Sequence, residues 1–100
     1  MSRALEFHPE AHAEFLAALE RYERLRPGLG AAFLDEVQTA ADYALRSPDA
    51  GAPVGTALRR VFVRRFPYYL LYAVDPDQLR IVAVAHFRRH PRYWADRQDA

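Results

Sequence analysis

The sequence contains no cysteine and no lysine, and serine occurs only at positions 2 and 47. Without cysteine the chain has no disulfide, thiolate metal site or thiol nucleophile, and without lysine it has no Schiff-base amine. It also has no Gly-rich phosphate loop and no Gly-x-Ser-x-Gly motif. These absences argue against serine hydrolases and nucleotide-dependent enzymes, and they predict no cofactor.

Long hydrophobic runs are missing as well. No stretch approaches the roughly 18 apolar residues of a membrane span, and the start, Met-Ser-Arg-Ala-Leu-Glu-Phe, lacks the apolar core of a signal peptide. We therefore expect a cytoplasmic protein without a membrane partner. With 51% hydrophobic and 27% charged residues, 100 residues are typical of a single globular domain over 1–100.

Charge is distributed unevenly along the chain. Residues 1–50 hold five Arg against nine Asp and Glu, whereas residues 51–100 hold nine Arg against four. This polarity favours an anionic partner for the second half. Genome composition alone could explain the exclusive use of Arg, although Arg also suits two-point contacts to phosphate or carboxylate.

The first half predicts a strand followed by a helical hairpin. Arg3–Phe7 is a strand candidate, and His8-Pro9-Glu10 is typical of a helix start. Apolar residues then recur at helical spacing in two segments, Ala11, Phe15, Leu19 and Tyr22 in the first and Leu29, Phe33, Val37, Ala40 and Ala44 in the second. Arg26-Pro27-Gly28 separates the two helices, and Ser47-Pro48 ends the second one.

The second half predicts a sheet. A surface crossover over Ser47–Ala57 leads to three expected strands, Leu58–Phe66, Tyr68–Val74 and Leu79–Phe87. Asp75-Pro76-Asp77-Gln78 fits a type I turn, so the last two strands should form an antiparallel hairpin. A short helix over Pro91–Arg97 is expected at the end. The order indicates an α+β fold in which the helical hairpin covers one face of an antiparallel meander.

The other sheet face is left to solvent or to a partner. Alternation along the Leu58–Phe66 strand puts one Arg pair on each face. Arg60 and Arg64 share a face with Phe62, and Arg59 and Arg65 share the opposite one. The sequence leaves open which pair lies on the uncovered face.

Residues 86–94 carry the densest set of chemically active side chains, with three arginines, two histidines and the adjacent aromatics Tyr93 and Trp94. Arg88, Arg89 and Arg92 could bind phosphate, and His86 or His90 could act as an acid or base. In the structural alternative, Tyr93 and Trp94 anchor the last helix and the arginines are solvated or paired with Asp96 and Asp99. We interpret the aromatics as packing and the arginines as functional.

Two histidine pairs have a spacing of four residues, His8 with His12 and His86 with His90. Neither pair has a Glu in a metalloprotease arrangement, and neither is expected to lie within one helix. We expect no metal site.

The sequence resembles the RelE/ParE superfamily in several motifs and in their order. This superfamily comprises the toxins of type II toxin–antitoxin and plasmid-stabilisation modules. The matching segments are His8-Pro9-Glu10-Ala11, Arg26-Pro27-Gly28-Leu29-Gly30 with Phe33 and Glu36, Leu58-Arg59-Arg60, Arg65-Phe66-Pro67-Tyr68-Tyr69-Leu70-Leu71-Tyr72, and the ending from Ile81 to Trp94. The resemblance covers nearly the whole chain and implies a RelE-like two-layer fold. It also implies a growth-inhibiting toxin, neutralised by an acidic, flexible antitoxin that folds on binding.

Relatives differ in their target. ParE-like toxins poison DNA gyrase, and RelE-like toxins are ribosome-dependent mRNA endoribonucleases (mRNA interferases). The nuclease pattern matches Arg60, Arg88 and a C-terminal aromatic at Tyr93 or Trp94, with His86 or His90 as possible substitutes for the missing groups. It departs at Phe62 and Tyr69, where the nucleases have basic residues. The Phe-Pro-Tyr and His-x-Arg-Arg-x-Pro signatures resemble the ParE-like branch.

We therefore expect a ParE-like toxin that acts by binding. The predicted target-binding residues are Arg60, Arg64, Arg88, Arg89, Arg92 and Trp94. If the protein is instead a nuclease, the candidate catalytic residues are Arg60, His86, Arg88, His90 and Tyr93. A second alternative is an inactive module that only binds its antitoxin.

Overall fold

A computed structural model describes the backbone of residues 3–99 and the side chains of residues 3–97. Its elements are β1 (Ala4–Phe7), α1 (Pro9–Leu25), α2 (Leu29–Arg46), β2 (Ala52–Val54), β3 (Leu58–Val63), β4 (Tyr68–Val74), β5 (Gln78–His86) and a 3-10 helix (Ala95–Asp99). The predicted α+β fold, with its N-terminal strand, helical hairpin and sheet, is confirmed. No helix in this part of the chain is long and apolar enough to cross a membrane.

The five strands form one sheet in the order β1-β5-β4-β3-β2. The strands β2 to β5 pair as an antiparallel meander, whereas β1 pairs with β5 in parallel. The last pair between β1 and β5 is Phe7 opposite Ile81. Beyond it, no strand within residues 3–99 pairs with residues 82–86 of β5 on that side, which leaves a free edge beside α1.

The helix ends follow local signals that the sequence carries. The imidazole of His8 accepts the backbone N–H of Glu10 at 3.1 Å, and Pro9 occupies the first helical position. Gly28 precedes α2 with φ 91°, a left-handed conformation that glycine adopts without strain. The carboxylate of Glu23 accepts the N–H groups of Gly28 and Gly30, which fixes the turn of the hairpin.

Apolar side chains pack on both faces of the sheet. The larger cluster lies between the helices and the sheet and contains Phe33, Leu70 and Tyr72. On the opposite face, Trp94 packs with Leu58, Leu71, Val82, Ala83 and Ala85. The chain after β5 therefore folds over the face that was expected to be open, and only part of that face stays exposed.

Three details of the prediction are wrong. The strand β2 lies inside the expected crossover, because a three-residue edge strand containing Pro53 has no periodic burial. β3 ends at Val63 rather than Phe66, since Arg65 enters a turn with φ 72°. The expected helix over Pro91–Arg97 is a turn followed by the 3-10 helix, because Arg92 has φ 67° and so cannot continue a right-handed helix.

Candidate functional site

A groove of about 500 Å³ lies between α1 and the free edge of β5. It exists because β1 stops before this part of β5 and because the facing residues of α1, Ala17 and Ala18, are small. The lining residues are Glu14, Ala17, Ala18, Arg21, Tyr68, Val84, His86, Arg88 and Arg89. We call this site the basic groove.

Three arginines give the groove its positive charge. Arg21 donates to the hydroxyl of Tyr68 at 2.5 Å, and the Arg89 guanidinium lies 3.9 Å from the centre of the Tyr93 ring. Arg21, Arg88 and Arg89 are exposed, and none of them forms an ion pair with a carboxylate of residues 3–97. Their charges are therefore available to an anionic partner.

The carboxylate in the groove is already neutralised. Glu14 pairs with Arg97 through two contacts of 3.0 and 2.9 Å, and it accepts the backbone N–H of Val84 at 3.0 Å. Its negative charge is balanced within the protein, so the groove keeps an excess of positive charge.

His86 is one of the residues that line the groove. Its ring packs edge-to-face on Tyr68, with 5.0 Å between centroids, and its Nδ1 accepts the backbone N–H of Arg88 at 3.0 Å. Burial, followed by the nearby charges of Arg21 and Arg88, lowers the pKa of His86 below its ordinary value. With Nδ1 used as an acceptor, the neutral ring carries its proton on Nε2, which can donate to a ligand.

The candidate nuclease residues are spread over different surfaces. Only His86 and Arg88 line the basic groove, whereas Arg60 lies on the opposite sheet face against the rings of Phe62 and Tyr69. His90 is exposed, and its Nδ1 lies 2.8 Å from the carbonyl of Pro91. The Tyr93 hydroxyl is buried, and burial together with Glu14 raises its pKa, which makes it a poor proton donor near neutral pH.

The six predicted target-binding residues are also divided. Arg88 and Arg89 share the basic groove, and Arg92 is exposed beyond it. Arg64 lines a separate groove between α2 and β3. Trp94 is only 5% exposed and packs against the sheet, which agrees with the packing interpretation of the aromatic residues.

Sequence reasoning missed Arg21 and Tyr68 as members of the groove. The available signal is the spacing of Ala17, Ala18 and Arg21, which puts two small residues and one cation close together on a helix surface. Among residues 3–97, no group of three His, Asp or Glu side chains is arranged to hold a metal ion.

Comparison with protein families identifies the chain. A family model described as the ParE toxin of type II toxin–antitoxin system, parDE, matches residues 5–91. The chain belongs to the ParE toxin family. The resemblance found in the sequence is thus confirmed, and the ParE family match includes β5 and the groove residues His86, Arg88 and Arg89.

A solved structure supports the same fold. The structure described as a chromosomal ParDE toxin–antitoxin system from P. aeruginosa contains a chain with 17% sequence identity and a TM-score of 0.74. The alignment covers 85% of this ParE-family chain and 96% of the other. No curated protein matches by sequence.

Proposed function

We propose that this ParE-family toxin inhibits bacterial growth by binding DNA gyrase in the cytoplasm, and that its single domain needs no cofactor. The observation that carries the proposal is the basic groove, where Arg21, Arg88 and Arg89 face solvent without a carboxylate partner among residues 3–97. Such a site fits an acidic surface on a protein target, because unpaired guanidinium groups bind carboxylates at two points.

Binding explains the arrangement better than RNA cleavage does. Cleavage needs an acid, a base and phosphate-binding cations around one phosphodiester. Here Arg60 lies on the opposite sheet face, the Tyr93 hydroxyl is buried and His90 is exposed outside the groove, so three of the five nuclease candidates are absent from it.

We further propose that a cognate antitoxin neutralises the toxin by covering the same groove. An acidic, flexible segment would gain charge complementarity from Arg88 and Arg89 and would order on contact. Occupation of the groove would then exclude the target.

Induction of this chain alone in a bacterial host tests the proposal. We expect thymidine incorporation to fall before methionine incorporation. Arg88→Ala with Arg89→Ala should abolish the effect, whereas the matched pair Arg24→Ala with Arg26→Ala removes the same charge at the far end of α1 and should leave it intact. Early loss of methionine incorporation with DNA synthesis continuing would contradict gyrase as the target. Harmless expression of the folded wild-type protein would point to an inactive antitoxin-binding module.

One observation favours a second function, the ribosome-dependent endoribonuclease. His86 and Arg88 lie in the same groove, so a proton donor and a phosphate-binding cation are close together. In that case His86→Ala should abolish toxicity and leave antitoxin binding intact. Unchanged toxicity of this variant would exclude His86-dependent cleavage.

A further inference from the structure

Four side chains form an exposed cluster on the sheet face opposite the helices. Phe62 of β3 is paired with Tyr69 of β4, and Phe87 follows the end of β5. Phe62 and Phe87 are 55% and 54% exposed. With Arg60 they make up what we call the aromatic–arginine patch.

The rings of the patch contact one another. The centroids of Phe62 and Phe87 are 5.7 Å apart with an interplanar angle of 84°, and Phe87 and Tyr69 are stacked at 6.5 Å. The Arg60 guanidinium lies 5.3 Å from the Phe62 centroid and 5.7 Å from the Tyr69 centroid. The patch thus already holds one planar cation against two rings.

The core does not account for the exposure of these rings. Trp94 covers the neighbouring part of this face, where it packs on Leu71, Val82 and Ala85. Phe62 and Phe87 are outside this cluster and keep half of their surface in water. Adjacent apolar rings left uncovered in this way indicate a binding surface.

The charges around the patch point to an anionic partner. Arg60 belongs to the patch, and Arg64 lines a groove with Phe62. Neither of them forms an ion pair with a carboxylate of residues 3–97. A partner that fits both the rings and the cations has flat apolar groups joined by negative charges.

We propose that the aromatic–arginine patch binds an unpaired strand of DNA. Phe62 and Phe87 stack on bases, and Arg60 contacts the neighbouring phosphate. A duplex does not fit as well, because its bases are stacked on one another and offer only phosphates to the protein. The choice of DNA over RNA rests on the proposed gyrase target, since stacking on a ring does not read the 2′-hydroxyl.

Fluorescence anisotropy with the purified toxin and a labelled short oligothymidylate at low salt tests this directly. We expect binding that is tighter than to a duplex of the same length and no weaker than to an oligouridylate of that length. Phe62→Ala with Phe87→Ala should weaken binding by roughly tenfold or more, because alanine replaces two stacking rings. Arg60→Gln should reduce the slope of the logarithm of the binding constant against the logarithm of salt concentration by the amount expected for about one phosphate contact.

The control is Leu16→Ala with Leu34→Ala, which removes two exposed apolar side chains from the helices and should leave binding unchanged. Circular dichroism and thermal melting establish that each variant is folded. Equal binding of the duplex, tighter binding of the RNA, no binding, or full binding by the folded double-Phe variant would each overturn the proposal.

Failure of the patch and failure of the gyrase proposal are distinguishable, because the anisotropy experiment contains no gyrase. Loss of gyrase inhibition by the double-Phe variant without any oligothymidylate binding by the wild type would make the patch a protein contact and refute the DNA-binding inference alone.

Discussion

Arg97 and Glu14 form a two-point ion pair that joins the C-terminal segment to α1, with N–O distances of 3.0 and 2.9 Å. Glu14 also accepts the backbone N–H of Val84, and Arg97 donates to the carbonyl of Val82 at 3.1 Å. Two side chains therefore satisfy the carbonyl of Val82 and the N–H of Val84 on the β5 edge that β1 leaves free. This arrangement blocks the addition of another strand at Val82 and Val84.

Arg97→Met should be strongly destabilising. The side chains of Arg97 and Glu14 are 8% and 15% exposed, so the variant leaves a largely buried carboxylate without its cation. We expect the free energy of unfolding to fall by about 3 kcal/mol, measured by urea denaturation. Combining it with Glu14→Gln should recover part of this loss. Small, additive effects of the two substitutions would show that the pair is unimportant for stability.

The hydroxyl of Tyr72 secures the chain between α2 and β2. It donates to the carbonyl of Pro48 at 2.9 Å and accepts the N–H of Gly51 at 3.2 Å. Tyr72→Phe should lower the free energy of unfolding by about 1–3 kcal/mol, because the buried N–H of Gly51 and the half-buried carbonyl of Pro48 both lose their hydrogen bond. The exposed Tyr43→Phe is the matched control and should have no effect. Equal stability of the two variants would contradict this role.

Gly51→Ala tests the same connection from the backbone side. A Cβ at position 51 would overlap the hydroxyl of Tyr72 and approach the carbonyl of Arg60 to 2.9 Å. We expect a lower melting temperature than for the wild type. Gly55→Ala is not a clean control, because Gly55 has φ 66° and alanine is strained there. An unchanged melting temperature in Gly51→Ala would show that this contact relaxes at no cost.

Trp94→Ala separates packing from target contact. Trp94 is almost completely buried against the sheet, so the substitution should lower the free energy of unfolding by about 3–5 kcal/mol. Trp94→Phe keeps much of the packing and should retain toxicity. Loss of toxicity in a stably folded Trp94→Phe would instead assign the indole to the target interface.

Stability should depend on pH through His86. Its pKa is lowered in the folded protein by burial and by Arg21 and Arg88, so the unfolded chain binds the proton more tightly. The stability that neutral His86 contributes is fully present above pH 6.5, the ordinary pKa of the histidine side chain. It is lost as the pH falls from there toward the lower pKa of His86 in the folded protein. Urea midpoints should therefore fall over this range in the wild type, and less steeply in His86→Gln. Identical slopes would contradict the assignment.

Local signals in the sequence were enough for the helical hairpin. The His8-Pro9 start and the apolar spacing of Phe15 and Phe33 predicted both helices, and Asp75-Pro76 predicted the turn between β4 and β5. These features depend only on residues that are close together in the sequence, so each one can be recognised from its own segment.

The groove depended on contacts that the sequence does not reveal. Glu14 lies in the first helix, but its partner Arg97 lies 83 residues further along the chain. Arg21 likewise enters the groove only because α1 packs beside β5. The positive φ of Arg92, which ends the expected helix, is not indicated by the types of residue around it. Ion pairs between residues far apart in the sequence, and single residues with an unusual φ, appear only in the folded chain.

The central claim is that this ParE-family toxin acts by binding gyrase through the basic groove. The most direct measurement is the supercoiling of relaxed plasmid by purified gyrase as the purified toxin is titrated in. We expect inhibition by the wild type and by Arg24→Ala with Arg26→Ala, and a requirement for roughly tenfold more protein with Arg88→Ala and Arg89→Ala, the loss typical of charged interface contacts. Full gyrase activity at saturating, folded wild-type toxin would contradict the claim.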